Sequence, residues 1–262
     1  MTDPPMASSP ATFPIIVRGR RTPLDYLFFL RPVLLVPVWT IALLGTVAAS
    51  PHAPLGAGRW LILFSQLSCL AGGIYTFNQI CDVESDRLNR KLHFLAAGII
   101  SPRAAWVFTV ALDCAALVGA ACLARRYFAL TILSIGLGIV YSAGRKPWKN
   151  RPGLALGANA LGHGACVHLL GILAVTSSLT LPWTLTLGYA LAVGAVYLAT
   201  TVPDMPGDRA TGKITLAVCW GGQRAMLLAT LLVLGAIACA GVGRDWYLAG
   251  ASFVSLPFFT GQ

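Results

Sequence analysis

Asn78, Asp82 and Asp86 recur at every fourth position in a 262-residue chain that holds only nine acidic residues. On an α-helix that spacing lines them up as one polar stripe. The stripe sits where a long apolar run ends, and carboxylates near a helix C-terminus are disfavoured by the helix dipole, so something positive should lie against it. A second pair with the same spacing, Asp204 and Asp208, closes another apolar run much later in the chain. Two carboxylate clusters brought face to face repel unless a cation bridges them. Oxygen-only ligands of this kind suit Mg²⁺, which keeps several waters and is completed by phosphate oxygens. The first question for the rest of the chain is whether it brings the two stripes together.

The elements that would do so are membrane helices. The hydrophobic fraction is 56 %, charged residues are 11 % and the mean hydropathy is +0.74, more apolar surface than a soluble domain of this size can hide. Spans of roughly 20 apolar residues are expected at Tyr26–Ala49, Trp60–Ile80, Pro102–Ala124, Phe128–Ala143, Leu154–Val175, Trp183–Val202 and Arg224–Val242, with a weaker eighth from Trp246 onward. The fold class is therefore all-α, a polytopic bundle of about eight transmembrane helices. Small residues inside the spans, including Gly153-x-x-x-Gly157, allow close helix packing. Residues 1–22 read as a flexible cytosolic tail without a secretory signal, and 23–262 as one transmembrane domain. Both acidic stripes fall at the end of a second helix in each half, which suggests four-helix pseudo-repeats over 23–150 and 151–262.

Lys and Arg placement orients the bundle. With the N-terminus in the cytosol, fifteen of the nineteen basic residues fall on the cytosolic side, and only Arg59, Arg125, Arg126 and Arg244 fall outside. A net charge of +10 distributed in this way marks topology in a lipid bilayer and not a nucleic-acid partner. Both acidic stripes then lie on the cytosolic side of a multi-pass integral membrane protein, the cell inner membrane if the source is bacterial. The seven scattered cysteines have no CxxC pair and read as small buried hydrophobes. His163 and His168 are five residues apart and face different directions, so they are not an i, i+4 metal pair. Mid-span Asp113 reads as structural.

Several bases lie close to the stripes in sequence or topology. Arg87, Arg90, Lys91, Arg145, Lys146, Lys149, Arg209 and Lys213 are placed to carry phosphate charge. The apolar spans below offer room for a hydrocarbon chain. Metal, diphosphate and lipid tail together describe a polyprenyl diphosphate site.

Asn78-x3-Asp82-x3-Asp86 resembles the first aspartate-rich motif of the UbiA superfamily of intramembrane prenyltransferases. Asp204-Met-Pro-Gly-Asp208, followed by Lys213, resembles the second. Leu30-Arg31-Pro32, Gly98-x-Ile100-Ser101 and Tyr141-Ser142 followed by Lys146 also match, in the family's order over about residues 26–224. The resemblance implies a helical bundle around a central cavity, with Mg²⁺ as cofactor held by Asn78, Asp82, Asp86, Asp204 and Asp208. It implies a diphosphate supported by Arg31, Lys146 and Lys213, with Arg90 among the nearby bases, and Tyr141 and Ser142 near the reacting ends. Tyr75 and Phe77 would shield a carbocation with their π faces. The expected reaction moves a polyprenyl group from its diphosphate to a lipophilic or aromatic acceptor, a quinone or pigment precursor, releasing pyrophosphate. The chain departs from the family at Gln79, at His93-Phe94 and in helix number, where the family usually has nine. Those departures leave the acceptor open. Three other readings stand beside it. A terpene cyclase would use the same ionisation without an acceptor, and a divalent-cation transporter would line a pathway with the stripes. A degenerate paralogue would only bind isoprenoids, against which the retained aspartates argue.

Overall fold

A computed structural model describes residues 22–50, 55–88, 94–176 and 183–260 of the chain. The N-terminal tail, Arg90, Lys91 and His93 lie outside those residues. The described residues form helices and turns only. In order they are α1 (Pro23–Phe29), α2 (Pro32–Ala49), α3 (Ala57–Leu88), α4 (Pro102–Ala121), α5 (Arg125–Ser142), a 3₁₀ turn (Trp148–Asn150), α6 (Pro152–Asn159), a π-helical segment (Ala160–Cys166), α7 (Val167–Val175), α8 (Trp183–Thr201), α9 (Met205–Ala210), α10 (Leu216–Trp220), α11 (Gly222–Gly243) and α12 (Trp246–Thr260). Among the described residues, six helices are long and apolar enough to cross a membrane: α2, α3 up to Glu84, α4, the continuous Pro152–Val175 helix, α8 and α11. Helices α5 and α12 occupy the other two apolar runs, so six of the eight expected spans meet that measure.

The bundle differs from the sequence expectation in two places that matter for the site. The run expected as one span, Tyr26–Ala49, breaks at Arg31, whose φ is 55° in the left-handed region. Pro32 is the cause: the residue before a proline is pushed out of the helical region, and the proline itself starts the next helix well. The second span does not stop at Ile80. Nothing between Asn78 and Leu88 is Gly or Pro, so α3 continues in register through the whole first motif.

Packing relies on close backbone approach and on paired polar groups. A Cβ on Gly171 would run into the Ala42 carbonyl oxygen, and one on Gly45 into the His168 carbonyl, so α2 and α7 touch backbone to backbone. Gly164 likewise lies on the Ala190 backbone of α8. Several buried polar side chains pair with one another, as lipid favours. Tyr127 donates to Gln66 at 2.5 Å, Gln66 donates to Thr131 at 3.3 Å, and the Thr76 and Thr109 hydroxyls share a bond of 2.7 Å. Asp113 packs where Gly73 leaves room, since a Cβ there would collide with its carboxylate. Its Oδ1 is buried without a hydrogen-bond partner among the described residues.

Candidate active site

Asn78, Asp82 and Asp86 face polar partners in turn along α3. The Asn78 amide donates to Ser142 Oγ on α5 at 3.1 Å. Asp82 Oδ1 receives the Lys149 ammonium at 2.5 Å, with the lysine side chain 9 % and the aspartate 27 % exposed. Asp86 is buried and lies within electrostatic reach of Arg31. Burial pulls the Arg31 pKa below its ordinary value, while Asp86 and then Asp82 push it back up. The left-handed backbone at Arg31 is a costly conformation for a side chain of this size. Here it turns the guanidinium toward the first motif. Gln79, a departure from the family pattern, does not face the stripe. Its amide donates to the Phe29 carbonyl at 3.0 Å, which ties α1 to α3 just before the Arg31 turn.

The second motif straddles the start of the short helix α9. Asp204 is its exposed N-cap, and Asp208 is buried one turn later. Lys213 reaches Asp208 Oδ1 at 3.3 Å, and Gly212, with φ of 70°, supplies the turn that brings the lysine back. The other oxygen, Asp208 Oδ2, is buried without a hydrogen-bond partner among the described residues. A buried carboxylate oxygen left in that way is costly unless a ligand completes it.

Two tyrosines connect the motifs. The Tyr141 hydroxyl lies beside the polar ends of Asn159 and Tyr197 and within electrostatic reach of both Lys213 and Asp82. Tyr197 in turn lies within electrostatic reach of Asp208. The Tyr141–Tyr197 pair therefore borders both acidic clusters, which end on one side of the bundle. Among the described residues, no three Asp, Glu, His or Cys side chains converge on one point. Each motif pairs one carboxylate with a lysine, Asp82 with Lys149 and Asp208 with Lys213.

Of the other residues expected at the site, Ser142 and Lys213 are brought in and Arg90 lies outside the described residues. Lys146 is exposed and makes no ion pair among them. Lys149, in the same loop, is the base that meets Asp82. Pro147 and the 3₁₀ turn reverse the chain there, so the buried position falls three residues after Lys146. Sequence reasoning also passed over Tyr197 and Asn159. Tyr197 lies seven residues, about two turns, before Asp204, and Asn159 is a lone amide in an apolar run; both signals were available. The histidines face apart as expected. His163 meets Tyr75, whereas His168 shares a 3.1 Å bond with Thr186 and stacks on Tyr189, whose hydroxyl donates to Asp245.

Comparison with known proteins places the chain. The model of the UbiA prenyltransferase family matches residues 35–261. The chain belongs to the UbiA prenyltransferase family. Digeranylgeranylglyceryl phosphate synthase of Methanothrix thermoacetophila is 30 % identical over 220 residues, 82 % of this chain and 77 % of that protein. The synthase of the same name from Halobacterium salinarum is 31 % identical over 83 % of this chain and 79 % of its own length. A UbiA homolog from Archaeoglobus fulgidus, solved with DMAPP and Mg²⁺, superposes with a TM-score of 0.76 at 21 % identity, covering 90 % of this chain and 84 % of that one. The all-α membrane bundle expected from the sequence is thus the fold of the family, and the expected enzyme class, prenyltransferase, is the family's.

Proposed function

We propose that this UbiA prenyltransferase family member transfers a polyprenyl group from a polyprenyl diphosphate to an acceptor, with Mg²⁺, at the cytosolic face of the membrane. The observation that carries the reading is the approach of both carboxylate motifs to one tyrosine pair, Asp82 and Lys213 to Tyr141 and Asp208 to Tyr197. Asn78, Asp82, Asp86, Asp204 and Asp208 would hold the metal. The donor set fits: it is all oxygen, and Asp208 Oδ2 is a buried carboxylate oxygen in want of a partner. When bound with the diphosphate, Mg²⁺ supplies charge stabilisation to the leaving group. Lys149, Lys213 and Arg31 already flank the carboxylates and offer their remaining N–H groups to phosphate oxygens. Tyr141 orients its hydroxyl at the reacting end through Asn159 and Tyr197. The cytosolic assignment rests on the Lys/Arg asymmetry of the loops.

For the acceptor, the reading best supported is a hydroxyl of a phosphate-bearing glyceryl ether, the product class named in the relatives from Methanothrix thermoacetophila and Halobacterium salinarum. Exposed Arg145, Lys146 and Arg209 leave basic charge at the rim beyond the two lysines paired with motif carboxylates. An aromatic quinone or pigment precursor is the competing class. Mass spectrometry of products from Mg²⁺, geranylgeranyl diphosphate and either a mono-geranylgeranylglyceryl phosphate or a panel of phenols separates the two. Prenylation of phenols alone would overturn the glyceryl assignment. Cyclic hydrocarbons formed from diphosphate alone would favour the cyclase, and metal uptake into vesicles without any product would favour the transporter.

A further inference from the structure

One half-buried base near this site is left unused by the metal and diphosphate chemistry. The Pro152–Val175 helix is interrupted by the π-helical segment Ala160–Cys166, and such interruptions are frequent at functional sites. His163 lies within it. Its Nε2 is 3.1 Å from the Tyr75 hydroxyl, and the two rings stack with centroids 5.6 Å apart and planes within 6°. Tyr75 donates its O–H to the Leu34 carbonyl at 3.3 Å.

The arrangement that keeps both bonds has Tyr75 donating to Leu34 and His163 donating from Nε2–H, and it leaves Nδ1 with a lone pair. No hydrogen bond reaches Nδ1, and no carboxylate pairs with the ring, among the described residues. The ring faces inward. Leu161, two residues away, is 54 % exposed on the lipid side, and two residues carry the chain to the opposite face of the helix. His163 is half-buried, in a segment that packs against α5 and α8.

The position follows from two neighbours. Asn159, four residues earlier, lies beside Tyr141 at the level of Asp82 and Lys213; His163 lies about 6 Å, one turn, deeper. Tyr75 lies one turn from Asn78 on α3 and within electrostatic reach of Arg31. A diphosphate held between the motifs, with its chain running into the bundle, would put its first carbon near that depth.

We propose that His163 Nδ1 is the proton acceptor for the acceptor substrate, a role that rests on the transferase reading above. The C1–O bond breaks with its electron pair leaving on the diphosphate. The acceptor oxygen bonds to C1, and its proton passes to Nδ1. Tyr75 holds the resulting imidazolium through Nε2–H, and the proton then returns to the departing pyrophosphate. Tyr75 fixes the tautomer and is a positioning residue. The side chain thus selects acceptors that present an acidic hydrogen next to the first carbon of the prenyl group.

The test uses the full chain in detergent with Mg²⁺, geranylgeranyl diphosphate and a mono-geranylgeranylglyceryl phosphate. Pyrophosphate, ether product and geranylgeraniol are measured together. His163→Gln keeps a donor for Tyr75 but has no base at Nδ1. It should retain pyrophosphate release while the ether-to-alcohol ratio falls about 10²-fold, as water captures the cation in place of the acceptor. An unchanged ratio overturns the proposal, and so does an equal loss of release and transfer, which would mark a structural residue. Should His163→Gln fail to fold, Tyr75→Phe leaves the ring in place and frees its tautomer; a smaller fall in the same ratio is expected, and no fall overturns the role. Wild-type protein that releases no pyrophosphate with any acceptor refutes the transferase reading itself, a result distinct from either variant's behaviour.

Discussion

Replacing Lys149 with methionine should make the site bind a bare metal more tightly and a metal–diphosphate less tightly. Lys149 and Asp82 meet at 2.5 Å, with side chains 9 % and 27 % exposed, so the pair is only partly screened by water. At an effective dielectric of about 20 the gross attraction at that distance is roughly 7 kcal/mol. Desolvation offsets most of it and leaves about 2 kcal/mol for a charge-assisted hydrogen bond of this kind. A divalent cation approaching Asp82 alone must compete with that ammonium. Methionine keeps the packing volume and removes the competition, so Mn²⁺ affinity without diphosphate should rise by up to about 30-fold, the equivalent of about 2 kcal/mol. With a polyprenyl diphosphate present, the same change removes a phosphate partner, and the Michaelis constant should rise. Mn²⁺ titration followed by electron paramagnetic resonance gives the first number and initial-rate kinetics the second. Unchanged or weaker Mn²⁺ binding in Lys149→Met would refute the idea that the lysine and the metal share Asp82.

Other consequences follow from the same geometry. Asp208→Asn leaves Lys213 without its carboxylate and removes a metal oxygen; turnover should fall at least about 10²-fold while the apparent melting temperature holds, checked by initial rates and thermal unfolding. Tyr141→Phe loses the hydroxyl that meets Asn159 and Tyr197, worth about 1–1.5 kcal/mol of orientation, so kcat should drop about tenfold with little change in diphosphate affinity. Gly171→Ala drives a methyl into the Ala42 carbonyl between α7 and α2, an overpacking cost of about 1–3 kcal/mol that should appear as earlier unfolding in detergent.

Much of this arrangement is readable from spacing alone, because helical periodicity and membrane topology act locally. Asn78, Asp82 and Asp86 had to share a face once α3 was helical, and the Lys/Arg asymmetry put them on the side of Asp204 and Asp208. The helix break at Arg31 was available in the Arg-Pro pair, although the apolar run hid it. What spacing does not carry is the path of a loop between helices. The linear reading singles out Lys146, on its match to the family motif; the 3₁₀ turn after Pro147 instead leaves Lys149 buried against Asp82. The π-helical segment is similarly opaque. Ala160–Cys166 has the composition of any small-residue membrane helix, and its widened turn shows only in the backbone, where it sets His163 beside Tyr75. Tyr197 and Asn159 were legible as isolated polar groups at helical spacing, but their joint contact with Tyr141 depends on how three helices pack.

The most direct measurement is pyrophosphate release by the purified protein in lipid nanodiscs, with geranylgeranyl diphosphate and mono-geranylgeranylglyceryl phosphate, before and after EDTA and again after Mg²⁺ is restored. Release that stops with EDTA, returns with Mg²⁺ and is lost in both Asp82→Asn and Asp204→Asn is the expected result. Release that persists without divalent metal, or that survives either substitution at wild-type rate, would contradict a shared Mg²⁺–diphosphate site between the two motifs.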